Sequence, residues 1–157
     1  IAEDLGFLTD EVRALLKASG FPGMKVLQFA FDSREPSNYL PHTYDNHCVC
    51  YAGTHDNTTV ANWLEAADPS DAAFAERYLG LNEREGYVWG ILRGGMGSVA
   101  DLFVAQMQDF LGFGEQARMN TPGTLGGNNW RWRLLTGEFT DELVEKIAVT
   151  TKMYGRS

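Results

Sequence analysis

The sequence predicts an α/β fold in which helices alternate with the strands of a parallel sheet. Short, mostly apolar runs recur along the chain, and segments of helical period separate them. Runs that are almost wholly apolar are typical of strands covered by helices on both faces. Polar residues such as Glu3, Asp32 and Asp56 follow these runs directly. An open doubly wound sheet and a (β/α)8 barrel both fit, because both build sites at the carboxyl ends of their strands.

The first half of the chain is predicted to contain three strands, one helix and a long loop. Thr9 is a helix-capping residue type, and Asp10 and Glu11 favour a helix that ends near Ser19. Its predicted apolar face consists of Val12, Leu15 and Leu16. The predicted strands are Ile1–Glu3, Met24–Phe31 and His47–Ala52, and the segment Asp32–Asn46, which lacks a helical period and contains two prolines, is a predicted functional loop.

The second half is predicted to contain five helices, one strand and a second long loop. Thr140 is placed to cap the last helix, with Leu143, Ile147 and Tyr154 facing inward. Three glycines weaken the helix prediction near residue 95. The predicted helices are Asn57–Ala67, Asp68–Leu79, Glu83–Gly97, Gln108–Leu111 and Thr140–Tyr154; the strand is Asp101–Met107 and the loop is Gly112–Asn129.

Composition narrows the classes of partner. The 157 residues carry a net charge of −8 and no cluster of lysine and arginine, so neither nucleic acid nor an anionic membrane is an expected partner. No apolar stretch approaches the roughly 20 residues of a membrane span, and no signal peptide is recognisable. Cys48 and Cys50 are expected to be buried free thiols in a reducing compartment. We therefore expect a cytoplasmic location.

Two carboxylate-bearing segments are the candidates for chemistry. His55 and Asp56 lie in the turn GTHDN, and Glu3 and Asp4 follow the first apolar residues. Adjacent side chains of an extended chain point in opposite directions, so only one of Glu3 and Asp4 can face a given site. Paired carboxylates suit acid/base or glycosyl-transfer chemistry, in which one is protonated and the other ionised. A structural hydrogen bond between His55 and Asp56 is the alternative.

Metal and cofactor sites are not predicted. The three histidines have neither the i, i+4 spacing of a helical pair nor an H-x-H strand spacing. The glycine pairs Gly94-Gly95 and Gly126-Gly127 do not follow a strand as a phosphate-binding loop would. We therefore expect no metal and no organic cofactor.

Trp130 and Trp132 alternate with arginines in GGNNWRWR. If this segment is a strand, the tryptophans share one face. They would then either wedge under the edge of the core or belong to a sugar-binding loop, in which the preceding asparagines offer amide groups to hydroxyls.

Seven segments together resemble a known family. They are AEDLG, PGMKVLQFAF, LPH, GTHDN, QDFLGFG, ARMNTPG and NWRWR, and they occur in the family's order. The chain is similar to the C-terminal part of an amylomaltase, the 4-α-glucanotransferase or disproportionating enzyme of glycoside hydrolase family 77. The resemblance covers nearly the whole chain and is weakest in residues 69–97.

The resemblance implies a retaining transglycosylase on a (β/α)8 barrel, with residues 1–157 as the C-terminal half of its catalytic domain. It implies that Glu3 is the general acid/base and that Asp56 stabilises the transition state. Its substrates would be α-1,4-glucans and maltooligosaccharides. The predicted substrate-binding residues are His55, Asn57, Asn120 and Trp130.

One catalytic group of the family does not fall within this chain. The family's nucleophilic aspartate belongs to the strand before Glu3, and Asp4, Asp32 and Asp45 do not stand in its motif. We expect the N-terminal half of the same barrel to supply it, because a retaining mechanism needs a nucleophile about 5–5.5 Å from the acid/base. The chain alone is therefore expected to be inactive.

Two other interpretations remain at this stage. One is a metal-dependent barrel hydrolase that uses Glu3, His42, His55 and Asp56 as ligands. The other is a non-catalytic subunit that binds glucan.

Overall fold

A parallel sheet forms the centre of the fold. The computed structural model describes residues 1–6 and 8–156. Three strands, β1 (Gly23–Val26), β2 (Cys48–Tyr51) and β3 (Leu102–Val104), are hydrogen-bonded in the order β1-β2-β3. Both strand pairs are parallel, and Tyr51 at the end of β2 lies opposite Val26 on one side and Val104 on the other. The predicted α/β fold with a parallel sheet is confirmed.

The described residues form six helices beside the sheet, and two of these helices begin at the predicted caps. The Thr9 side chain accepts a hydrogen bond from the Val12 N–H, and the Thr140 side chain accepts one from the Leu143 N–H. Asp68 caps its helix in the same way. The described helices are α1 (Asp10–Ser19), α2 (Val60–Ala66), α3 (Pro69–Leu79), α4 (Tyr87–Met96), α5 (Met107–Phe110) and α6 (Asp141–Met153).

The predicted strands are longer than those observed. Residues after Val26 form a 3-10 turn over Leu27–Phe29, which the Ala30 N–H closes on the Leu27 carbonyl at 2.9 Å. The apolar run continues because Leu27 and Phe31 are buried in the core, so apolarity here indicates burial and not extended backbone. The strand predicted over Asp101–Met107 is likewise reduced to its middle residues.

The strand predicted over Ile1–Glu3 is not formed. The segment makes one backbone hydrogen bond, from the Ala2 N–H to the Pro22 carbonyl at 2.9 Å. In place of a further backbone hydrogen bond between this segment and β1, the Asp4 carboxylate accepts a hydrogen bond from the Met24 N–H at 2.6 Å. The segment therefore lies beside the start of β1.

Helix α4 packs into the core, and this packing requires a glycine at position 95. Ile91 and Leu92 are fully buried among residues of the sheet and of α2. A β-carbon on Gly95 would overlap the Phe103 ring of β3. The glycine is needed for this close approach, although glycine weakens an isolated helix.

Helices α1 and α6 differ from α4, because neither has a fully buried residue. Val12 and Leu15 of α1 are exposed, so the predicted apolar face of this helix is not covered within the described residues. Leu143, Ile147 and Tyr154 are half-buried, in agreement with their predicted inward orientation. Lys146 of α6 places its Nζ 3.8 Å from the centre of the Trp89 ring of α4.

The structure bears on the predictions about the two cysteines and about membrane-spanning segments. Cys48 and Cys50 are free and buried, as predicted, and burial raises the pKa of the Cys50 thiol to about 12. Across residues 1–6 and 8–156, no helix has the length and apolar character needed to cross a bilayer.

Candidate active site

The turn after β2 is organised by its own side chains. The Asn57 Oδ1 accepts hydrogen bonds from the Thr54 N–H at 2.9 Å and from the Thr54 hydroxyl at 2.8 Å. The Asn57 N–H returns to the Thr54 carbonyl at 3.1 Å. This closed arrangement leaves the intervening His55 and Asp56 side chains projecting, with 56% and 48% of their surfaces exposed.

Five of the six predicted site residues lie at this turn. The Asn120 Nδ2 donates to the Asp56 Oδ1 at 2.6 Å, and the His55 Nε2 lies 3.5 Å from the same oxygen. The Trp130 ring centre lies 5.0 Å from that of His55. Asn57 is adjacent through the turn itself. Within the described part of the chain, the Asp56 Oδ2 accepts no hydrogen bond.

The loop after β3, here residues 105–140 including the short helix α5, brings Asn120 and Trp130 to the turn by main-chain contacts. The Asn120 N–H donates to the His55 carbonyl at 3.0 Å, and the Trp130 N–H donates to the Met119 carbonyl at 2.7 Å. Trp130 has a φ of 61°, a left-handed conformation that is uncommon for a non-glycine residue. The strand suggested for Trp130 and Trp132 is therefore wrong, and Trp130 is 57% exposed beside His55.

Polar residues just past the other two strands hold the turn by hydrogen bonds to main-chain carbonyls. Gln28 follows β1 and donates its amide to the Thr58 carbonyl at 2.8 Å. Gln106 follows β3 and donates to the Thr54 carbonyl at 3.0 Å. A β-carbon on Gly53 would lie 2.6 Å from the Gln28 Nε2, so glycine leaves the space that this amide occupies. The carboxyl ends of all three strands thus converge on one turn.

Arg118 and Glu115 also hold the turn, and neither is among the predicted site residues. The Arg118 guanidinium donates to the carbonyls of Asp56 and Asn120 at 2.9 and 2.8 Å. The Glu115 carboxylate accepts from the Thr58 hydroxyl. The spacing of Arg118 and Asn120 does indicate that the two side chains act together, because residues two apart in an extended segment share a face.

Asp109 is a buried carboxyl behind the turn. It has no exposed surface, and its Oδ1 accepts from the Val60 N–H at the start of α2 at 2.8 Å. Within the described residues its Oδ2 has no hydrogen-bond partner. Burial raises the pKa of Asp109 to about 6, against two backbone hydrogen bonds that lower it.

Glu3 lies apart from the cluster around Asp56. Its side chain is exposed beside the start of β1 and makes no hydrogen bond or ion pair within the described residues. Its role therefore stays a prediction. Asp32 also differs from expectation, because β1 ends at Val26 and the Asp32 carboxylate pairs with Arg34 of its own loop at 2.7 Å.

The ligand set of the alternative metal site is not assembled. The His42 Nδ1 lies 2.8 Å from the Tyr78 hydroxyl of α3, whereas His55 lies in the turn after β2. In the part of the chain that the structure describes, no three histidine, cysteine, aspartate or glutamate side chains are placed to share a metal ion.

The arrangement of strands, turn and loop matches that of a solved carbohydrate-active α/β enzyme. The chain superimposes on an amylomaltase from Streptococcus agalactiae, solved in complex with acarbose, with a TM-score of 0.95 and 34% sequence identity. The match covers 99% of this chain and 32% of that protein.

Sequence comparison identifies the family. The model of glycoside hydrolase family 77, 4-alpha-glucanotransferase, matches residues 1–138, so the chain belongs to this family. It is 49% identical to a 4-alpha-glucanotransferase of Clostridium butyricum over 157 residues and to one of Thermus thermophilus over 149 residues. These matches span 99% and 90% of this chain but 32% and 30% of the relatives. The chain thus corresponds to about a third of their length.

Proposed function

We propose that this chain is the C-terminal half of a (β/α)8 catalytic domain and that the full-length protein is a 4-α-glucanotransferase. The observation that carries the proposal is the meeting of His55, Asp56, Asn120 and Trp130 in a member of family 77. Residues 1–157 would form one part of this domain, and the N-terminal half of the same barrel would complete it. A cytoplasmic location belongs to the same proposal.

The proposed chemistry is a retaining transfer in two steps. Glu3 donates a proton to the leaving glycosidic oxygen while a nucleophilic carboxylate from the N-terminal half attacks the anomeric carbon. In the second step Glu3 removes the proton from the 4-hydroxyl of an acceptor sugar, which displaces the enzyme carboxylate. An α-1,4-glucan segment is thereby moved from one maltooligosaccharide to another, and Glu3 regains its proton.

Asp56 serves both steps as a fixed negative charge. Positive charge develops on the sugar ring in the oxocarbenium-like transition state, and a pre-positioned carboxylate stabilises it without reorganising. One oxygen of Asp56 accepts from Asn120 at 2.6 Å, which orients the carboxylate before substrate arrives. The other oxygen is free for the sugar.

The remaining residues would bind glucan around this carboxylate. His55 offers a ring nitrogen to sugar hydroxyls, and the exposed Trp130 ring offers an apolar face to a pyranose. Asn120 divides its amide between Asp56 and the glucan, while Asn57, whose amide oxygen is already used by Thr54, has only its Nδ2 to offer. The acarbose complex of the S. agalactiae amylomaltase supports a glucan-like ligand for this family.

The experiment that tests the proposal is incubation of the full-length protein with maltotriose after treatment with a chelator. Separation of the products by size should reveal a ladder of longer maltooligosaccharides together with glucose. Glucose and maltose alone would indicate a hydrolase and overturn the transfer proposal. The absence of any product would leave a glucan-binding subunit or a metal-dependent hydrolase, which maltooligosaccharide binding and restoration by added metal would distinguish.

A further inference from the structure

We infer that Arg118 is a positioning residue for Asp56, which it orients by clamping two main-chain carbonyls. The inference rests on the proposed function, since Asp56 has a catalytic role only there. The Arg118 Nη2 donates to the Asp56 carbonyl at 2.9 Å, and its Nε donates to the Asn120 carbonyl at 2.8 Å. One guanidinium thus bridges the backbones of the two residues whose side chains meet.

The bridge closes a small hydrogen-bonded ring. Asp56 and Asn120 are joined by their side chains at 2.6 Å and by Arg118 through their carbonyls. The Asn120 N–H also donates to the carbonyl of His55, next to Asp56, at 3.0 Å. A rotation of the Asp56 backbone would break several of these bonds together, so the direction of its carboxylate is fixed by the clamp.

Glu115 ties the clamp to the start of α2. Its Oε1 lies 3.3 Å from the Arg118 Nη1, and its Oε2 accepts from the Thr58 hydroxyl and from the Asn62 Nδ2, the latter at 3.1 Å. All three nitrogens of the Arg118 guanidinium are therefore engaged. Within the described residues, every one of these contacts lies on the turn, on α2 or on the loop after β3.

Only arginine supplies this geometry. Its planar guanidinium presents donors in fixed directions to several acceptors at once, whereas lysine presents one flexible ammonium. The substitution Arg118→Lys keeps the charge and loses the clamp. In the full-length protein we expect kcat for disproportionation of maltotriose to fall by about 10- to 100-fold, the size of effect of losing a hydrogen bond to a charged group. The KM should change by less.

Arg156 provides a matched control at the other end of the sheet. Its guanidinium donates to the carbonyls of Met96, Ser98 and Ala100 at 2.9, 2.7 and 2.7 Å, before β3 begins. Arg156→Lys should lower the melting temperature as much as Arg118→Lys does or more, with kcat within about twofold of the unaltered protein. A general structural role for Arg118 predicts instead that the two variants lose activity in proportion to stability.

A double variant tests whether Arg118 acts through the pair. If it does, adding Asn120→Ala to Arg118→Lys lowers kcat by less than the product of the two separate effects. If Arg118→Lys does not fold, Glu115→Gln keeps Arg118 but removes the ion pair that holds its guanidinium, which leaves the two carbonyl contacts free to loosen. This second variant should then lose kcat several-fold at an unchanged melting temperature; unchanged kcat would overturn the inference.

The crystal structure of the full-length Arg118→Lys variant supplies a readout that does not depend on activity. We expect the distance from the Asn120 Nδ2 to the Asp56 Oδ1 to exceed 3.5 Å, outside hydrogen-bonding range. Retention of the present 2.6 Å contact, or a kcat within twofold of the unaltered protein, would overturn the inference. Failure of the unaltered protein to disproportionate maltotriose would overturn the proposed function separately.

Discussion

The two carboxylates proposed for catalysis lie in opposite surroundings. Asp56 belongs to the turn after β2, which residues just past β1 and β3 support, and its carboxylate and carbonyl are both hydrogen-bonded. Glu3 is exposed beside the start of β1, and within the described residues its side chain has no polar partner. Pre-organisation of charge needs fixed groups, while proton transfer needs a carboxyl whose environment allows both protonation states. Within the described residues, the Asp56 carboxylate is held by hydrogen bonds and that of Glu3 is not.

The largest effects should come from the two carboxylates. In the full-length protein, Glu3→Gln removes the general acid/base and should lower turnover of maltotriose by about 10²–10⁴-fold while glucan still binds. Asp56→Asn should be about as harmful, because it removes the charge that stabilises the transition state. Steady-state kinetics together with maltooligosaccharide binding measure both. Near-normal turnover in either variant would remove that residue from the catalytic assignment.

The buried Asp109 behind the turn should make stability depend on pH. Its pKa of about 6 in the folded protein exceeds its ordinary value, so the folded state holds the proton more tightly than the unfolded state does. Stability from this group is then fully present below about pH 4 and is lost as pH rises through about 6. A rise from 3.8 to about 6 corresponds to about 3 kcal/mol in the free energy of unfolding.

Asp109→Asn should remove this dependence. Relative to the unaltered full-length protein, the free energy of unfolding of the variant should rise by about 2 kcal/mol between pH 4 and pH 7. Asp45→Asn, at an exposed position, is the control and should give no such gain. Denaturant titrations at several pH values measure the difference. A parallel pH profile for Asp109→Asn and the unaltered protein would mean that the Asp109 carboxyl is not perturbed by its burial.

Loss of the Asn120 side chain should have a smaller effect than loss of Asp56. Asn120→Ala removes the donor to the Asp56 Oδ1 and leaves the charge in place, so kcat should fall by roughly tenfold. Asn82→Ala, in the loop between α3 and α4, breaks a comparable local pair of hydrogen bonds and should leave kcat unchanged. Equal losses of kcat in the two variants would show that the effect arises from stability and not from the orientation of Asp56.

Much of the fold could be predicted from capping residues and apolar runs. Thr9 and Thr140 are bonded as helix caps, and Cys48 and Cys50 are buried in a parallel strand. The ends of the strands could not be predicted, because buried 3-10 residues such as Leu27 are as apolar as strand residues. Local sequence records burial more directly than backbone conformation.

Because the predicted strands are too long, two residues that support the site are not recognised from the sequence. Gln28 and Gln106 fall inside the predicted strands, whereas in the structure they follow β1 and β3 and support the turn. Asp32 was expected at a strand end and instead lies in a loop that contacts α3 through Ser33. His55 and Asp56 were identified correctly as turn residues because a glycine and an asparagine bracket them. Arg118 lies in the segment ARMNTPG, but its contacts are with main-chain carbonyls, so the motif does not indicate its role.

The most direct test of the contrast between Glu3 and Asp56 uses a glycosyl donor whose leaving group departs without protonation by a general acid. With α-maltosyl fluoride, fluoride leaves with the bonding electron pair as the nucleophile of the full-length protein forms the glycosyl-enzyme bond. Glu3→Gln should then release a burst of one fluoride per active site and stall, because the second step lacks its base. Asp56→Asn should give no burst, because both steps lose the stabilising charge. The opposite pattern, a burst only in Asp56→Asn, would contradict the roles assigned to both residues.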